Sequence, residues 1–134
     1  MNYQELKAKQ SREMNKFQGI FFAFSDSQFL EGMNKVGLTL QDKDKIVNIG
    51  AGGFILKNRV DDFKAMINSW HEERNNLKKE ERNLIEALVY ELGNHEYCIT
   101  GDVTDALNAL DLTIDTVDHK TLKKAIFCYN KGLR

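Results

Sequence analysis

A chain of 134 residues, 42% hydrophobic and 29% charged, has the size and composition of one ordinary globular domain and lies far from the disordered and membrane-spanning classes. Its formal net charge of −1 excludes the overall basicity typical of a nonspecific nucleic-acid binder. The longest apolar run, residues 20–24, is far short of the roughly 20 residues a membrane helix needs, and the polar start lacks the apolar core of a secretory signal, so a cytoplasmic protein is expected.

Residues 3–17 place Tyr3, Leu6, Met14 and Phe17 near one face of a first helix. After Gly19, the aromatic and β-branched run Ile20-Phe21-Phe22-Ala23-Phe24 reads as a short buried strand. Ser25 then opens a second helix: its hydroxyl can cap the amide of Gln28, Gln28 can reach back, and Phe24 can pack on Phe29 as a staple. That helix carries Phe29, Leu30, Met33 and Val36 inward and stops at Gly37.

Two short apolar runs, 46–49 and 54–56, flank Gly50-Ala51-Gly52-Gly53 and predict a β-hairpin near 46–57. A glycine-rich loop cradles phosphate when it leads from a strand into a helix; this one leads into another strand, and no Lys-Ser or Lys-Thr pair follows. Asn58 can cap a long helical stretch in which Val60, Phe63, Ile67, Trp70 and Leu77 keep helical spacing, resumed by Leu84, Leu88 and Leu92. Unbroken, it would be about 50 Å long, against about 36 Å for a compact sphere of this size. A helical hairpin turning between about Asn75 and Glu80 resolves the conflict, and the nearly all-polar residues 71–82 are then its solvated turn. A projecting coiled coil would need sustained heptads, which are absent.

Beyond Gly93 and Asn94, residues 95–100 suggest a short extended stretch. Asp102 or Thr104 begins a short helix with Val103, Ala106, Leu107 and Leu110 inward. A last helix starts at Asp118, with Val117 able to staple onto Leu122 and an inner stripe of Leu122, Ile126, Tyr129 and Leu133. Cys98 and Cys128 are expected as reduced core thiols, and neither they nor the three histidines form a recognisable metal set. No internal repeat is visible. The expectation is a single domain over residues 1–134, α+β and mostly helical, with a small antiparallel sheet of about three strands.

The charges are unevenly divided. Residues 83–118 hold eight acids, Glu86, Glu91, Glu96, Asp102, Asp105, Asp111, Asp115 and Asp118, and no Lys or Arg. Residues 119–134 hold five cations, Lys120, Lys123, Lys124, Lys131 and Arg134, and no acid. One reading is that some acids serve helix starts and the two surfaces neutralise each other. The other is that Glu86, Glu91, Glu96, Asp102, Asp105 and Asp111 mimic a polyanion and dock on a basic protein, such as the channel of a nuclease. A nucleic-acid-binding role for Lys120, Lys123, Lys124 and Lys131 is an alternative that the acidic balance and core-committed aromatics disfavour. A third is a small enzyme using His95 and Glu96 as an acid-base pair. His71-Glu72-Glu73 lacks the second histidine of a zinc helix, and no serine sits in a nucleophile elbow, so no catalytic residue, metal or cofactor is assigned.

The stretches Phe21-Phe22-Ala23-Phe24-Ser25 with Gln28-Phe29 and Glu31-Gly32-Met33, Ile49-Gly50-Ala51-Gly52-Gly53-Phe54, Asn94-His95-Glu96-Tyr97 and Thr104-Asp105-Ala106-Leu107 carry a resemblance that covers most of the chain. Together they resemble an uncharacterised family of small proteins of bacteria and their phages. The resemblance brings no catalytic or cofactor residues and implies an accessory role in the bacterial cytoplasm, the host's if the protein is phage-encoded. By analogy with phage accessory proteins of this size, it implies a non-enzymatic inhibitor of a host defence nuclease, of anti-CRISPR type.

Overall fold

The computed structural model describes residues 1–132; Leu133, assigned above to the last apolar stripe, and Arg134 lie outside the described residues. The elements run α1 (Tyr3–Lys16), β1 (Ile20–Phe22), α2 (Asp26–Lys35), a 3₁₀ segment (Leu40–Lys45), β2 (Ile46–Gly50), β3 (Gly53–Leu56), a 3₁₀ turn (Lys57–Arg59), α3 (Val60–Leu77), α4 (Glu81–Asn94), α5 (Tyr97–Thr100), α6 (Thr104–Asn108) and α7 (His119–Asn130). The fold is α+β, mostly helical, with one three-stranded antiparallel sheet in the order β1-β3-β2. The chain divides into two compact units, one of Ser11–Asn68 and the other of Met1–Gln10 with the chain from Ser69 onward.

In the Ser11–Asn68 unit, β2 and β3 form the predicted hairpin, with Ile46 opposite Leu56 and Gly50 opposite Gly53. Its two turn residues, Ala51 (φ 52°) and Gly52 (φ 78°), both lie in the left-handed region, the combination a type I′ turn requires. The glycine-rich loop is therefore a tight strand-to-strand turn. Helix α2 begins as expected: the Ser25 hydroxyl accepts the Gln28 amide at 3.2 Å, and Gln28 Oε1 reaches back to the Phe24 amide at 2.7 Å. The staple does not form. Phe24 is 77% exposed, and Phe29 instead meets Phe54 and Phe21 edge-on at 5.1 and 5.8 Å, while Phe21 stacks on Phe54 at 5.4 Å. This cluster lets the sheet bury one face against α2. Asn58 does not cap α3 through its side chain; it lies inside the 3₁₀ turn that leads into that helix.

In the other unit, the helical stretch breaks at residues 78–80, inside the predicted interval, and α4 resumes at Glu81. The helix packed most extensively on α4 is α7, with α6 and α5 also against it. The core gathers Leu88 and Leu92 of α4, Leu107 and Leu110 at α6, Leu122 and Tyr129 of α7, Leu77, and Tyr3 and Leu6 of α1. The polar end of α3 offers little beyond Leu77 for α4 to pack on. Asp118 caps α7 as expected, accepting from the Thr121 amide at 3.3 Å and hydroxyl at 2.7 Å. Residues 97–100 are helical, not extended; Gly101 in the left-handed region ends the turn, and Tyr97 meets Tyr129 edge-on at 5.7 Å. Both cysteines are free thiols as expected, but Cys98 is exposed rather than in the core, while Cys128 is half-buried and packed against it.

Candidate docking surface

All six acids assigned to docking lie in this second unit, and the structure sorts them by what each carboxylate meets. Glu91 is buried and cannot belong to an exposed surface. On α4 it follows Leu84 by seven residues and Leu88 by three, which places it inside the apolar stripe. Its Oε1 accepts the Tyr3 hydroxyl at 3.1 Å and Lys7 Nζ at 2.9 Å, and His95 Nε2 stands 3.5 Å from Oε2. Burial, and next the adjacent carboxylate, push the Tyr3 phenol far above its ordinary range, so it stays protonated and donates. Lys7 also sits over the rings of Tyr90 and Tyr3, at 5.1 and 5.6 Å from their centroids. The carboxylate beside the histidine is thus Glu91, not Glu96, and the hydrogen bonds from Tyr3 and Lys7 hold α1 against α4.

Asp111 is spoken for by α3: its Oδ2 accepts Arg74 Nε at 2.9 Å, with His71 Nδ1 at 3.0 Å. Asp102 accepts the amide and hydroxyl of Thr104 at 2.9 and 2.7 Å, setting the entry to α6. Glu86, Glu96 and Asp105, together with Asp115, make no ion pair among the described residues. Glu96 (φ 57°) and Asp105 are exposed; Glu86 is half-buried on α4 in an open groove of about 510 Å³ beside Arg82, Tyr90 and Asn94.

Among the described residues, no ion pair joins the basic stretch to the acidic one. The basic stretch's one ion pair among the described residues joins Lys124 to Glu81 at 2.6 Å, and Glu81 precedes the acidic stretch. Lys120, Lys123 and Lys131 are exposed, and Lys131 Nζ lies 5.6 Å from the centroid of the Phe127 ring, itself 59% exposed. Sequence reasoning missed Tyr3 and Lys7 as partners of Glu91 and Arg74 as the partner of Asp111. The position of Glu91 inside a leucine stripe was the available signal for the first; nothing local announces the second.

Three of the carboxyls set a pH dependence. Partial burial, the largest single influence on Asp111, pushes its carboxyl up, yet the hydrogen bonds from Arg74 and His71 outweigh it and hold the group below the usual 3.8. Hydrogen bonds from the Thr104 amide and the Thr121 hydroxyl lower Asp102 and Asp118 in the same direction. A carboxyl depressed by folding adds stability above its unfolded pKa and loses it as pH falls through the lower folded value. The urea midpoint should therefore drop as pH falls below about 4, and Asp111→Asn should flatten that drop. An unchanged slope would contradict the Asp111 pairing.

Among the described residues, no helix is long and apolar enough to cross a membrane, and no three His, Cys, Asp or Glu side chains are grouped to hold a metal ion. No curated protein and no solved structure matches the chain. A family model of unknown function, DUF7659, matches residues 2–127, most of the sequence and both compact units, and the chain belongs to that family.

Proposed function

We propose that the chain is a non-enzymatic, protein-binding accessory protein that engages a basic surface of its partner through the acids of residues 83–118 that the fold leaves without a counter-ion. The observation that carries this reading is the missing neutralisation. Thirty-six consecutive residues contain no Lys or Arg, and among the described residues no ion pair links them to the basic helix that follows. Unpaired surface acids create a negative potential that speeds encounter with a positive surface and rejects like-charged ones. A nuclease must present such a positive surface to hold its polyanionic substrate, so a host defence nuclease, inhibited in anti-CRISPR fashion, fits the charge. Glu86, Glu96 and Asp105 replace the original six as the working set.

The triple variant E86K/E96K/D105K tests this in pull-downs from a bacterial lysate at low and moderate salt. The expected result is loss of the partner recovered by wild type, with affinity weakened about a hundredfold, close to 3 kcal/mol. None of the three side chains is buried, and surface charge changes alter stability by only about 0.5 kcal/mol each, so circular dichroism should show an unchanged fold. Equal recovery by both proteins would remove the reading.

A second reading, nucleic-acid binding by α7, is favoured by one observation: exposed Phe127 beside Lys131, on a helix where Lys120 and Lys123 are unpaired among the described residues. An exposed ring with flanking cations can stack a base while the cations track phosphate. Nucleic acid recovered by wild type and lost on K120E/K123E/K131E would put this reading first.

A further inference from the structure

Strand β1 is an edge of the sheet, paired only with β3 among the described strands. Gly19 O accepts the Leu56 amide and the Ala23 amide donates to Gly52 O, both at 2.9 Å. Alternate residues of an antiparallel strand bond to opposite sides, so residues 19, 21 and 23 face β3 while the backbone N–H and C=O groups of Ile20 and Phe22 face outward. No hydrogen bond among the described residues satisfies those four groups. A free edge of this kind is a template for another strand.

The edge is not open to bulk solvent on all sides. A groove of about 490 Å³ runs along it, lined by Ile20, Phe21 and Phe22, by Met14 at the end of α1, and by Glu31 and Lys35 of α2. At the Gly19 end it shares Phe17, Ile20 and Lys35 with a second cavity of about 820 Å³, whose charged lining is Lys16, Lys35 and Arg59, with no carboxylate. Lys16 and Lys35 make no ion pair among the described residues. Arg59 binds Asp62 through Nη1 at 2.6 Å and lies over the Phe17 ring at 4.6 Å, which leaves Nη2 without a hydrogen bond among the described residues. Lys16 and Lys35 each close a helix, where a cation is favourable without any ligand. The helix ends do not account for the unbonded Nη2 of Arg59, for the side-chain amides of Gln18 and Asn58 around the same cavity, or for the absence of any acid among its lining residues.

The geometry points to a peptide-binding site: an extended segment of a partner protein adds to β1 as a fourth strand and ends with its terminal carboxylate among Lys16, Lys35 and Arg59. Charge fixes the direction. The cations sit at the start of β1, so a strand whose carboxyl end reaches them runs antiparallel to β1, continuing the pattern of the sheet. Backbone hydrogen bonds to Ile20 and Phe22 then supply affinity, and alternate side chains of the guest meet Met14 on one side and the α2 rim on the other. The site uses only residues of the Ser11–Asn68 unit and shares none with the acidic surface, so either can fail without the other.

The experiment selects, on the full-length protein, from a displayed library of random ten-residue peptides with free carboxyl ends. The enriched peptides are then synthesised with a free or amidated carboxyl end. Binding is read by fluorescence anisotropy and by amide shifts in two-dimensional NMR. The expected result is enrichment of β-prone sequences, at least tenfold weaker binding on amidation and for K16E/K35E, and shifts at the Ile20 and Phe22 amides. Phe22→Pro, which removes one outward N–H, should also abolish binding; K16E/K35E carries the test if that variant does not fold. No enrichment, or peptides indifferent both to amidation and to K16E/K35E, would overturn the proposal. Inorganic phosphate or a short oligothymidine binding the same cavity with Ile20 and Phe22 unshifted would assign it to a phosphate ligand and overturn the peptide.

Discussion

Glu91→Ala should cost about 3 kcal/mol of stability, among the largest losses expected of any single carboxylate change here. The substitution removes the acceptor of a buried phenol and the partner of Lys7, and leaves a void between α1 and α4. Breaking a buried pair usually costs about 3–5 kcal/mol; the Lys7 side chain is 39% exposed and can turn to water, which places the loss at the lower end. Glu91→Met should separate the contributions. It refills the volume but strands the Tyr3 hydroxyl, at a cost of about 1–3 kcal/mol, and adding Tyr3→Phe should recover most of that loss. Urea denaturation of the single and double variants reads the coupling. Strictly additive losses would show that Tyr3 and Glu91 do not act together.

Gly32→Ala should destabilise by about 2 kcal/mol, although alanine in a helix interior ordinarily gains about 1 kcal/mol over glycine. Gly32 sits within α2, and a Cβ there would lie 2.0 Å from Cδ2 and 2.5 Å from Cε2 of Phe21. The Phe21 ring cannot withdraw freely, because it is 5% exposed and held by Phe54 and Phe29. Steric overlap therefore outweighs helix propensity. Phe21→Leu in the same chain should relieve part of the loss. A Gly32→Ala protein more stable than wild type in urea would contradict the close approach of α2 to β1.

The features legible in the sequence are those decided by neighbours along the chain. Ser25 and Asp118 act as caps because the groups they bind lie three residues on. The hairpin follows from two apolar runs around a loop whose Gly50 and Gly52 take positive φ, and the break before Glu81 follows from a polar stretch that could not be buried. What was not legible depends on distant partners. Phe24 was expected on Phe29, but its ring lies over the hairpin turn, where a Cβ on Gly52 would come within 2.4 Å of it. Residues 95–100 look extended by composition, yet 97–100 form a helical turn that places Tyr97 beside Tyr129. Counting charges treats every carboxylate as exposed. Glu91 instead completes an apolar face with Tyr3 and Lys7 as partners, and Asp111 is claimed by Arg74 from 37 residues away. The set of acids read from the sequence as a docking surface is therefore too wide: of the six, Glu86, Glu96 and Asp105 alone make neither an ion pair nor a side-chain hydrogen bond among the described residues.

The most direct measurement of that surface is zero-length carbodiimide cross-linking of the captured complex, read by mass spectrometry. The reagent joins carboxylates to amines in salt-bridge contact, so it reports which charges of this chain meet the partner. The account predicts cross-links from Glu86, Glu96 or Asp105 to lysines of the partner, lost in E86K/E96K/D105K. Cross-links confined to Lys120, Lys123 and Lys131, with residues 83–118 untouched, would contradict it.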